Sequence, residues 1–87
     1  MKIKKGFVLE KVGDSYLACA TGKLAREFSG LVKLNETGAY IWELFESDIT
    51  VEEAAEKMIA EYDISKEIAL RDIKAFAENL KNSGILE

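Results

Sequence analysis

The sequence predicts an α+β domain in which strands come first and helices follow. Three observations carry that prediction. Residues 7–34 contain short runs rich in β-branched, aromatic and small apolar residues, punctuated by glycines. Asn35, Thr50 and Ser65, all good helix caps, each precede a segment with apolar residues at helical spacing. No internal repeat, low-complexity tract or linker divides the chain, so residues 1–87 are expected to form a single domain.

The elements follow in order. Phe7–Val12 reads as the first strand and Ser15–Ala20 as the second, with Gly13-Asp14 as the tight turn of a hairpin. In the second strand Tyr16, Ala18 and Ala20 share one face, and Leu17 and Cys19 the other. Gly22 breaks that strand. Thr21–Ser29 reads either as a loop or as one short helical turn. Gly30 closes it, and Leu31–Leu34 forms a short third strand at the edge of the sheet.

The first helix is expected from Glu36 to Phe45 or Glu46. Asn35 caps it, Glu36 favours the positive end of its dipole, and Ile41, Leu44 and Phe45 form its apolar face. The second starts after Thr50, where Glu53 completes a capping box. Ala54, Ala55, Met58 and Ile59 form its inner face. The third is capped by Ser65 and runs to about Asn82, with Ala69, Ile73, Phe76, Ala77 and Leu80 in one stripe. Gly84 stops it, and Ile85-Leu86 is expected to fold back onto the core.

Bulk properties narrow the functional classes. A net charge of −4 argues against general nucleic-acid binding, which needs a basic face to displace counterions from phosphates. The one cysteine, Cys19, has no partner for an intramolecular disulfide, which fits a reducing compartment. No signal-peptide core follows the basic start, and no apolar run is long enough to span a membrane. The expected location is the cytoplasm.

Catalysis finds little support. Without histidine there is no Ser-His or Cys-His dyad. One cysteine and no histidine exclude the common zinc sites and an iron–sulfur cluster. The glycines are too scattered for a phosphate loop. Glu43, Glu46, Asp48, Glu52, Glu53 and Glu56 form a reservoir of carboxylates that reads as solvated helix faces and caps. Cys19 and Trp42 read as core residues rather than as a reactive thiol and a ligand platform. No cofactor is expected.

Two surfaces remain open to a functional reading. The third helix carries Lys66, Glu67, Arg71, Lys74, Glu78 and Lys81 on its polar side, with Leu70 at the edge of its apolar stripe. It reads as a solvated mixed-charge face or as the wall of a groove. The short third strand exposes unpaired backbone groups, which can be a liability or can accept an incoming strand.

The segment Leu34-Asn35-Glu36-Thr37-Gly38, continued by Ile41-Trp42-Glu43-Leu44, resembles the "LNxTGxxIWELL" opening of the first helix in PqqD-like proteins. Thr50-Val51-Glu52-Glu53 leading to Tyr62 is similar to the family's second helix. Asp72-Ile73, Phe76, Leu80 and Gly84-Ile85-Leu86 are similar to its ending. The resemblance covers most of the chain from about Ser15 onward. The segment Thr21–Ser29 departs from it, being longer than the short turn of many relatives.

The resemblance implies a winged helix-turn-helix-like domain, a three-stranded antiparallel sheet followed by three α-helices. It implies a non-catalytic recognition element for ribosomally made, modified peptides. The leader of a precursor peptide would add as a strand to the third strand, here Gly30, Leu31, Val32, Lys33 and Leu34. Its side chains would pack beside the third helix, here Leu70, Arg71, Lys74, Ala75 and Glu78. The chemistry would belong to a partner enzyme, often a radical-SAM protein. Two other classes stay in view. A winged-helix DNA-binding regulator would use the same helix layout, but Glu67, Asp72 and Glu78 on the third helix oppose it. A homodimer would use its edge strand for self-pairing.

Overall fold

The computed structural model describes residues 1–28 and 31–87. Gly30, expected at the strand edge, and Ser29 lie outside the described residues. The element order is β1 (Phe7–Val12), β2 (Ser15–Ala20), α1 (Leu24–Glu27), β3 (Leu31–Leu34), α2 (Glu36–Leu44), α3 (Val51–Glu61) and α4 (Lys66–Asn82). The three helices expected after the sheet are α2, α3 and α4. Of the two readings of the segment after Gly22, the structure adopts the short helical turn, α1. The chain forms two compact units, one of Lys4–Tyr40 and one of Met1–Ile3 with Ile41–Glu87.

The first unit is built on an antiparallel sheet in the order β1-β2-β3. Gly13 sits at φ 61°, the left-handed conformation that the β1–β2 turn requires and that a side chain resists. That turn sets the register, Val12 opposite Ser15 and Phe7 opposite Ala20. Both the backbone N–H and the hydroxyl of Thr21 donate to the Gly6 carbonyl, each at 2.7 Å, and close the open end of the hairpin. β3 continues the sheet with Leu31 opposite Cys19 and Leu34 opposite Tyr16.

Residue parity then sorts the side chains. Leu9, Ala18 and Val32 form one cross-strand row, with Leu34 on the same face. Ala18 and Leu34 are buried. Val8, Cys19 and Leu31 form a row on the opposite face, where Val8 and Leu31 are exposed. Cys19, expected in the core, is therefore half-buried, because its parity sets it on the face opposite Ala18.

At the start of α2 the Asn35 side chain accepts from the Gly38 N–H at 2.7 Å, the expected cap. A Cβ on Gly38 would lie 3.1 Å from that same Asn35 Oδ1. The glycine lets the cap close tightly over the first turn.

The second unit is the helical one. Its largest fully buried side chains are Trp42, Phe45, Met58 and Ile73. Phe45 stacks on Phe76 with ring centroids 6.5 Å apart. Ala54, Ala55 and Ala69 are fully buried, and their small size lets α3 and α4 approach closely. The amino-terminal residues complete this unit. The Ile3 N–H donates to the Phe45 carbonyl at 2.8 Å, and Ile3 pairs with Leu86 in an isolated antiparallel bridge. Ile3 and Ile85 are buried, so the expected return of the last residues onto the core is present.

Thr50 caps α3 through a reciprocal box. Its hydroxyl accepts from the Glu53 N–H at 3.1 Å, and the Glu53 carboxylate accepts from the Thr50 N–H at 3.0 Å. Donation from the Thr50 backbone N–H, and then from the Thr50 hydroxyl, holds the Glu53 carboxyl below the usual carboxylate range. A depressed folded value means that the stabilisation is present above the ordinary carboxylate range and is lost as pH falls through the folded value. Thr50→Ala is expected to cost about 1 kcal/mol, which lowers the melting temperature by roughly 4–8 °C. Glu53→Gln is expected to flatten the acid limb of the stability profile, as followed by circular dichroism melts from neutral pH to pH ~3. An unchanged acid limb would show that the box contributes nothing to it.

Candidate functional site

β3 is at a sheet edge, and among the described residues it pairs only with β2. In an antiparallel pair alternate residues turn their N–H and C=O groups toward the neighbour, so the others direct theirs outward. β3 thus carries hydrogen-bonding groups available to a further strand. Its side chains alternate: Leu31 is 62% exposed and Lys33 is exposed, whereas Val32 is half-buried and Leu34 buried. β1 forms the other edge of the sheet.

On the helical unit, the five residues singled out on α4 follow its surface in two directions. Leu70 and Lys74 belong to a stripe that continues through Ala77 and Lys81 at helical spacing. Arg71 and Glu78 lie on the solvent arc beside it. Ala75 falls on the far side of that arc, in a stripe with Ile68, Asp72 and Asn79. Leu70 is half-buried, and Arg71, Lys74, Ala75 and Glu78 are exposed. Arg71 Nε lies 3.5 Å from Asp72 Oδ1, an exposed pair of small energetic weight.

An open cavity of about 510 Å³ lies against the C-terminal half of α4. Lys74, Ala77, Glu78 and Lys81 form its α4 wall, and Met1, Val51 and Leu86 contribute apolar surface. Sequence reasoning reached Lys74, Glu78 and Lys81 as a groove wall on this helix and missed Met1, Val51 and Leu86. Val51 and Leu86 come from distant parts of the chain, and no local signal joins them to α4.

Burial, and then the neighbouring Glu43 carboxylate, push the Glu46 carboxyl up. Glu53 moves in the opposite direction because of its cap. Trp42 is fully buried, which places it in the core as its helix position predicts. Among the described residues, no group of three or more His, Cys, Asp or Glu side chains could hold a metal ion. Among the same residues, no helix is long and apolar enough to cross a membrane.

Three comparisons bear on this arrangement. The sequence model of the PqqD family, described as coenzyme PQQ synthesis protein D, matches residues 19–86. No curated protein matches the chain. Among solved structures, "TbiB1 in complex with the TbiA(beta) leader peptide" is similar over 100% of this chain and 95% of that one, with a TM-score of 0.77 and 26% sequence identity.

Proposed function

This chain belongs to the PqqD family, and on that premise we propose that it is a non-catalytic element recognising the leader of a ribosomally made precursor peptide. The observation that carries the reading is the open edge of β3. The similarity to a protein solved with a leader peptide supports the same reading. The leader adds as a strand along Leu31–Leu34. Backbone hydrogen bonds supply much of the affinity, and pockets for alternate side chains supply selectivity. Leu31 and Lys33 offer such contacts on one face of the extended sheet, Val32 and Leu34 on the other. Leu70, Arg71, Lys74, Ala75 and Glu78 are proposed as further contacts for the peptide, with Lys74 and Arg71 favouring acidic residues.

Residues 1–87 act in this reading as one recognition module in the cytoplasm. The chemistry belongs to a peptide-modifying enzyme, in such systems often of the radical-SAM class. Holding leader and enzyme together raises the effective concentration of the core peptide at the active site without any new contact to that core.

A backbone amide NMR titration with synthetic leader peptides tests the proposal. The expected result is saturable shifts concentrated on Leu31–Leu34 and on the outer face of α4. No shifts with any leader, together with broad shifts on adding duplex DNA, would replace this reading with that of a regulator.

A further inference from the structure

We propose that the outer face of the sheet is a self-association surface, on which a second copy of this chain docks face to face about a two-fold axis parallel to β2. The observation is a patch of side chains whose register is self-complementary. Val8, Cys19 and Leu31 form one row across the three strands, and Glu10, Leu17 and Lys33 form the next. Val12 continues the face along β1. Val8 is 41% exposed, Val12 54% and Leu31 62%. Three of the large apolar side chains exposed on the described chain thus lie on one face of one sheet, where apolar exposure marks an interaction surface.

The charges select the partner and its orientation. In the aligned class of sheet packing, facing strands run within about 30° of each other. A two-fold axis along β2 lays β1 of one copy over β3 of the other. Glu10 then faces Lys33 of the second copy, and this pairing occurs twice. Val8 faces Leu31 in the same way. Leu17 and Cys19, on the central strand, face their own counterparts. A two-fold axis at the same row but running across the strands would set Glu10 on Glu10 and Lys33 on Lys33, an arrangement that like-charge repulsion disfavours. An isologous contact of this kind is closed, so it yields dimers and not filaments.

The face is only three strands wide, so the pairing belongs with small, transient interfaces. It leaves the hydrogen-bonding edge of β3 open, because sheets packed face to face bury side chains and not edges. Leu31 and Lys33 serve both surfaces, whereas the outward backbone groups of β3 serve the peptide alone.

Sedimentation equilibrium on the full chain, from about 10 µM to about 1 mM, covers the affinity range of such contacts. Reversible dimerisation of the native protein is expected. Glu10→Lys and Lys33→Glu are each expected to weaken it roughly tenfold, and the double exchange to restore it. Leu31→Glu is expected to abolish it. These side chains are exposed, and circular dichroism establishes that each variant is folded. A native protein that stays monomeric at the highest concentration would overturn the proposal. So would a double exchange as weak as the single ones, which would mean that Glu10 and Lys33 do not face each other.

Discussion

Replacing Trp42 by Ala is expected to remove a large share of the protein's stability. Trp42 is fully buried in the helical unit, where Phe45, Met58 and Ile73 are buried as completely. Truncating a buried tryptophan costs about 3–5 kcal/mol, through lost transfer energy and the cavity left behind. A chain of 87 residues is held by roughly 4–13 kcal/mol in total. The loss therefore takes roughly a quarter of that stability at the least and all of it at the most. Trp42→Phe fills more of the space and is expected to keep a cooperative transition at a lower midpoint. Thermal melts by circular dichroism, with amide dispersion in one-dimensional NMR spectra, separate the cases. If Trp42→Ala melted within a few degrees of the native protein, its packing would not be what holds the helical unit.

The second large effect concerns binding. Val32 and Lys33 are adjacent in β3, so the two directions of backbone N–H are divided between them. A proline at either position removes one N–H. Where that N–H bonds to β2, the ladder is damaged and the protein is destabilised. Where it points outward, an edge strand tolerates proline and the fold is kept. Val32→Pro and Lys33→Pro are thus expected to behave oppositely. One loses stability. The other melts near the native temperature but binds leader peptide at least tenfold more weakly, since it loses a hydrogen bond and places a ring where the incoming strand must lie. Isothermal titration calorimetry beside thermal melts reads both. A folded proline variant with native affinity would rule out strand addition at β3.

The parts of the fold that could be read from the sequence are those fixed by neighbours in the chain. Asn35, Thr50 and Ser65 mark helix starts because a cap acts within three residues, and the structure has side-chain bonds at all three. The Gly13 turn fixes the hairpin register by the same locality. Ile3 shows where such reading stops. Among lysines at the start of the chain it looks like part of a basic tail, yet it is buried and pairs with Leu86. Its partners are remote in sequence, and only the folded chain brings them together.

The candidate site divides along the same line. The β3 edge could be anticipated from the shortness of the run before Asn35. The separation of Ala75 from Leu70 follows from helical geometry alone, at 100° per residue, once each position is plotted around the axis. The apolar row of Val8, Cys19 and Leu31 needs the cross-strand register of all three strands, which composition and alternation do not supply. Gly38 belongs to a recognisable motif, but its reason, the 3.1 Å approach to Asn35 Oδ1, is visible only in the folded cap.

The bridge between Ile3 and Leu86 also bears on the order of events as the chain is made. Translation proceeds from the amino end, and segments that leave the ribosome early can fold while later ones are still being added. The hairpin of β1 and β2 needs only residues close in sequence and can form early. Ile3 emerges before it but must wait for the last residues of α4 and for Leu86 before it is covered. Until then an apolar side chain upstream of the sheet remains open to chaperones and to other nascent chains. Ile3 thus precedes the sheet in synthesis and follows it in reaching its native partner.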